Sequence, residues 1–172
     1  CSSDLRTAFV VNQPSVFQGR HSIEILRENK INLVKLFALE HGVRGGGGAG
    51  EPIGDGVDGP SGLPIISLYG PRRKPSPENL RDIDTIIFDI QDVGVRFFTY
   101  ISSLGLILEA AAENGKEVIL LDRPNPNGDY IDGPVLEPSL RSFVGAYEIP
   151  IVYGMTIGEL ARMIVEIGRA HV

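Results

Sequence analysis

Short apolar runs alternate with amphipathic stretches along this chain, and that alternation limits its fold more than any single residue does. A parallel strand buried on both faces is written as a continuous apolar run, and it reaches its parallel neighbour only through a crossover, usually a helix. Thr7–Val11, Asn32–Leu39, Pro64–Leu68, Thr85–Ile90 and Glu117–Leu121 carry the strand pattern. His21–Glu28, Thr99–Asn114 and Thr156–Ile167 carry the helical one. A further helix opens at Ser76, whose cap position is followed by Pro77. Asn114-Gly115 supplies a stop signal, and Thr156 with Glu159 three residues on forms a capping-box pattern. The prediction is an α/β fold around a mostly parallel sheet.

Two long segments lie outside this pattern. Gly42–Leu63 reads as a glycine-rich loop, in which Gly45 to Gly48 is low complexity and expected to be mobile. A Pro-, Gly- and Asp-rich loop runs from strand five to about Pro150. A length of 172 residues fits one domain, taken here as residues 1–172 and as a fragment with cut or non-native termini. Cys1-Ser2-Ser3 also fits the lipid-modified start of a bacterial lipoprotein.

Composition excludes more than it identifies. The 22 acidic residues outnumber the 16 basic ones, for a formal charge of -6, which argues against a nucleic-acid partner. One cysteine permits no internal disulfide. No apolar run approaches the ~20 residues of a membrane-spanning helix. The three histidines are scattered, so the sequence offers no zinc-type spacing. Gly45, Gly47 and Gly50 match the dinucleotide fingerprint formally, but Glu51-Pro52 follows where a helix should begin.

The chemistry-bearing residues follow the strands. Asn12 and Gln13 come after the first, Glu40 and His41 after the second, and Tyr69 after the third. Asp89, Gln91 and Asp92 end the fourth, with Arg96 and Tyr100 close behind. Asp122, Arg123 and Asn125 follow the fifth. In a parallel sheet all carboxyl ends share one edge, where ligands bind. Glu40, directly after an apolar strand, is the leading catalytic candidate, because partial burial suits a carboxyl group to general acid work. Its plainer role is to cap a loop or to pair with Arg44. Asp89 and Asp92 are candidates for a second carboxylate, for binding sugar hydroxyls, or for fixing loop amides, with Asp92 beginning the turn at Gly94, and Arg96 is placed to neutralise Asp92. Phe97, Phe98 and Tyr100 are candidates for a stacking platform or for core. His21 and His171 are expected to face solvent.

The order of motifs is more specific than any one of them. Glu40-His41-Gly42, Ser67-Leu68-Tyr69-Gly70, the string from Asp89 to Tyr100, Asp122-Arg123-Pro124-Asn125-Pro126, Ser142-Phe143-Val144-Gly145 and the string from Gly154 to Ala161 occur in sequence. Together, over Thr7 to Ile167, they resemble the exo-β-N-acetylmuramidase (NamZ) family, glycoside hydrolase family 171, formerly domain of unknown function 1343. The resemblance implies a Rossmann-like domain with helices on both faces, and a smaller C-terminal domain packed against it. It implies hydrolysis of the non-reducing terminal N-acetylmuramic acid of peptidoglycan fragments, with no metal or organic cofactor. It implies Glu40 as the catalytic acid and His41 as its helper or a substrate ligand, and it sets a secreted, periplasmic or cell-envelope location as the expectation. For the remaining roles, Asp89 and Asp92 are the nearest partner carboxylates by topology, unless the acetamido oxygen of the substrate attacks instead. Arg123 would meet the lactyl carboxylate, a bidentate fit for a guanidinium. Two other classes stay open: a magnesium-dependent, phosphatase-like hydrolase using Asp89, and a non-catalytic sugar-binding module.

Overall fold

The computed structural model describes residues 4–169, so Cys1 and His171 lie outside the described residues. In chain order the elements are β1 (Thr7–Val11), β2 (Val16–Phe17), β3 (Arg20–His21), α1 (Ser22–Glu28), β4 (Leu33–Ala38), β5 (Gly56–Val57), β6 (Pro64–Ser67), α2 (Pro77–Leu80), β7 (Thr85–Asp89), α3 (Tyr100–Glu113), β8 (Glu117–Leu120) and α4 (Ile157–Arg169). The described residues pack as two compact units, residues 4–90 with Glu109–Leu121, and Gln91–Leu108 with residues 122–169.

The first unit contains the sheet, in the order β5-β6-β4-β1-β7-β8. All neighbours pair in parallel except the short β5, which runs antiparallel to β6. Counting the parallel strands alone, the spatial order is third, second, first, fourth, fifth, which is doubly wound, with its switch point between β1 and β7. Every residue of β1 and β7 is buried, so both faces of these strands are covered. Phe9, Val11, Leu36 and Ala38 meet Ile23 of α1 in one core cluster. Full burial of a large apolar side chain stabilises by about 1.5–3 kcal/mol, so removing Ile23 would unseat α1.

Three local features depart from the sequence reading. Val16–His21 is a hairpin, turned at Gln18 (φ 50) and Gly19 (φ 76), the positive pair that a primed two-residue turn requires. His21 is half-buried rather than facing solvent. It is the N-cap of α1, where its Nδ1 accepts from Ile23 N–H and its Nε2 bonds Asn12 O at 3.1 Å. α2 spans four residues; Ser76 caps it as expected, and Asn79 completes a capping box that was not anticipated.

The second unit is mostly irregular. Its core joins Ile101 to Ile149, Tyr153 and Leu160. The capping box of α4 forms: Thr156 N–H reaches Glu159 Oε2 at 2.8 Å, and Glu159 N–H reaches Thr156 Oγ1 at 3.2 Å. Among the described residues, no helix is long and apolar enough to cross a membrane.

Candidate active site

In the first unit, the parallel strands bring Asn12, Glu40 and Tyr69 to one edge of the sheet, each just past the end of its strand. Val11 pairs with Ala38, the last paired residues of β1 and β4, so Asn12 and Glu40 leave from adjacent strands. Glu40 is half-buried, and its Oε1 accepts a backbone N–H from Gly50 at 3.0 Å. Arg44 does not take Glu40 as its ion-pair partner; it makes a two-pronged contact to buried Asp58 and a third bond to Glu24. Beside Glu40, His41 is half-buried and holds a positive φ of 67, a conformation that costs a non-glycine residue energy. Gln13 is exposed, and its side chain lies against Gly45. Beyond His41 a cavity of about 470 Å³ opens, floored by Ala38, Val43, Ile53 and Ile65 and edged by Arg44 and Asp58.

The switch point itself is filled. Ser15 Oγ stands within hydrogen-bond reach of Asn12 Oδ1 (3.0 Å) and of Asp89 O, and it accepts from Asn12 N–H at 3.1 Å. Ser22 Oγ donates to Asp89 Oδ2 at 2.6 Å. Asp89 is 1% exposed and is engaged in holding the α1 entry to the end of β7. A nucleophile needs an open face, which this carboxylate lacks. Tyr69 is half-buried, and its carbonyl accepts from Ile53 N–H at 3.2 Å, anchoring the far end of the glycine-rich loop.

In the second unit, Gln91, Arg96 and Asn125, read from the sequence as recognition groups, donate to backbone carbonyls. Gln91 Nε2 donates to Asp92 O at 2.7 Å and to Pro124 O at 3.0 Å. Arg96 does not neutralise Asp92; it donates to the carbonyls of Pro134 and Ile149. Asp122 accepts from Thr156 Oγ1 and Gly158 N–H, placing a negative charge at the start of α4. Asn125 donates to Met155 O at 2.8 Å and packs against Gly94. Arg123 is half-buried.

Asp92 is 3% exposed, accepts Gly94 N–H at 2.8 Å and takes the Tyr153 hydroxyl on the same oxygen. Its other oxygen is buried without a partner. Burial raises the Asp92 pKa above the ordinary carboxylate range, against the opposing pull of the Tyr153 hydrogen bond, and burial likewise raises that of Tyr153. Tyr100 is buried edge-on to Phe98, with ring centroids 5.0 Å apart, which makes it core; Phe97 is the exposed aromatic of the three.

Residues 7–172 match the model of the family described as Exo-beta-N-acetylmuramidase NamZ, N-terminal. The chain belongs to this family. It is 53% identical over 146 residues to the peptidoglycan beta-N-acetylmuramidase NamZ of Bacillus subtilis (strain 168), covering 84% of this chain and 35% of that protein. Two solved structures of DUF1343 family proteins from Bacteroides fragilis NCTC 9343 superpose on 94% of the chain. BF0371 does so with a TM-score of 0.85 at 48% identity, and BF0379 with 0.81 at 43%. The chain therefore spans about 35–42% of the length of these relatives. For the NamZ-family sheet, the same edge that carries Glu40 is where an open α/β fold binds ligands. Among the described residues, no group of three or more His, Cys, Asp or Glu is placed to hold a metal ion. Glu40 takes the loop-capping role read for it, through Gly50 N–H; the pairing of Gly47 with His41 was not read, because a run of glycines carries no side-chain signal.

Proposed function

We propose that this chain is the N-terminal part of a glycosidase that releases non-reducing terminal N-acetylmuramic acid from peptidoglycan fragments, with Glu40 as its general acid. What carries the reading is the place of Glu40, half-buried at the carboxyl edge of β4, in a chain 53% identical to a protein named peptidoglycan beta-N-acetylmuramidase. Glu40 gives its proton to the departing glycosidic oxygen as the bond to the anomeric carbon breaks. Asp89 and Asp92 are both buried and bonded within the fold, which favours the substrate's own acetamido oxygen as the attacking group over an enzyme carboxylate. Water then attacks the anomeric carbon, breaking its bond to the acetamido oxygen, and gives a proton to the Glu40 carboxylate. His41 remains its proposed helper, and Arg123 the proposed partner of the lactyl carboxylate. The same burial of Asp89 counts against the phosphatase-like alternative.

The exposed Tyr130, Ile131, Val135, Leu140 and Val144 support a companion proposal: in the longer protein, a C-terminal domain covers this apolar stretch. The test is release of N-acetylmuramic acid from a disaccharide fragment by the full-length protein and its Glu40→Gln variant. A loss of about 10²–10⁴-fold in the variant supports the reading. Binding of the fragment by both proteins with hydrolysis by neither would assign the chain to a sugar-binding module.

A further inference from the structure

The glycine-rich segment after Glu40 is tied back onto it. Gly47 exchanges two bonds with His41: its N–H donates to His41 O at 3.2 Å, and its carbonyl accepts from His41 Nδ1 at 3.1 Å. A carbonyl can only accept, so Nδ1 carries the ring hydrogen. Downstream, Glu51 closes a small turn, because its Oε2 accepts Gly48 N–H at 2.8 Å and its own N–H donates to Gly48 O at 3.2 Å. That turn presents Gly50 N–H to Glu40 Oε1 at 3.0 Å. A Cβ at Gly45 would stand 2.2 Å from Gln13 Oε1, and one at Gly47 2.4 Å from Ile53 Cδ1, so a side chain at either position would displace the end of its neighbour. A Cβ at Gly50 would meet nothing within 4 Å; glycine there answers only to its φ of +75.

We propose that the Gly48–Glu51 turn is a positioning element for Glu40: Glu51 holds the turn, and the Gly50 amide of that turn holds the carboxyl group in its working orientation. This rests on the role proposed for Glu40 above. An N–H aimed at a carboxylate favours its ionised form, so the closed turn lowers the proton affinity of Glu40, and release of the turn raises it. The loop thereby acts on both the position and the acidity of the acid.

The test compares Glu51→Ala with Glu51→Gln in the intact protein, following the Glu40 carboxyl by carbon-13 NMR titration. Both variants remove the same charge, but only alanine removes the acceptor that closes the turn. The titration midpoint of Glu40 is expected about half to one pH unit higher in Glu51→Ala than in Glu51→Gln. Gly50→Ala, which adds strain at φ without a clash, is expected to raise it in the same direction. Equal midpoints in the two Glu51 variants, or a lower one in Glu51→Ala, overturn the proposal. The titration needs no turnover, so full hydrolysis by Glu40→Gln would refute the role of Glu40 and leave the titration result standing.

Discussion

Replacing Asp58 by asparagine tests how the base of the glycine-rich loop is anchored. Asp58 Oδ1 and Oδ2 accept from Arg44 Nε and Nη2 at 2.9 and 3.0 Å, and Oδ2 also accepts Ser61 N–H at 3.1 Å. The Arg44 guanidinium, opposed by burial and aided by Ser61, lowers the Asp58 pKa from 3.8 to about 2. A fall of just under two units corresponds to about 2.5 kcal/mol of stability. The Arg44 side chain is 34% exposed, so solvent screening reduces the expected contribution to about 1–2 kcal/mol. Because the folded pKa is depressed, this stability is complete above the unfolded value and is lost as pH falls toward 2. Urea unfolding of the wild type and of Asp58→Asn between pH 2 and 6 should show a gap of about 1–2 kcal/mol at pH 6 that closes toward pH 2. Asp84, lowered to about 2 by Arg6, titrates in the same window in both proteins and cancels in the difference. A gap as wide at pH 2 as at pH 6 would refute the ion-pair account.

Two further substitutions address the second unit. Tyr153→Phe removes a hydroxyl donor from buried Asp92 and is expected to cost about 1–3 kcal/mol, read by urea unfolding at neutral pH; a change below about 0.5 kcal/mol would contradict the pairing. Gly94→Ala combines a φ of +73 with a Cβ 2.3 Å from the Asn125 amide, so a loss of about 2 kcal/mol or more is expected in the same assay. A variant within experimental error of the wild type would show that the Asn125 loop yields freely.

The sheet was legible because β1 and β7 are buried on both faces and therefore written as unbroken apolar runs. The caps of α2 and α4 were legible because Ser76 and Thr156 act through local spacing. The Val16–His21 hairpin was not, since strands of two residues carry no periodicity. The edge position of Glu40 and His41 followed from topology. The contacts that Arg96, Asp122 and Asn125 make within the fold were not legible, for a physical reason. The segment from Asp122 to Met155 has few ladder partners for its backbone, so side chains of the same kinds that bind sugars are recruited to satisfy it. The glycine run read as mobile because nothing in its own sequence points to Gln13, His41 or Glu40.

The proton-donor role of Glu40 is tested most directly by changing the leaving group. For the full-length protein, kcat/KM of Glu40→Gln relative to wild type would be measured on a sugar-linked N-acetylmuraminide and on its nitrophenyl counterpart. A nitrophenolate departs without protonation, so a missing general acid should cost about 10²–10⁴-fold on the sugar-linked substrate and far less on the aryl one. Equal losses on both substrates would contradict the account and assign Glu40 to another step.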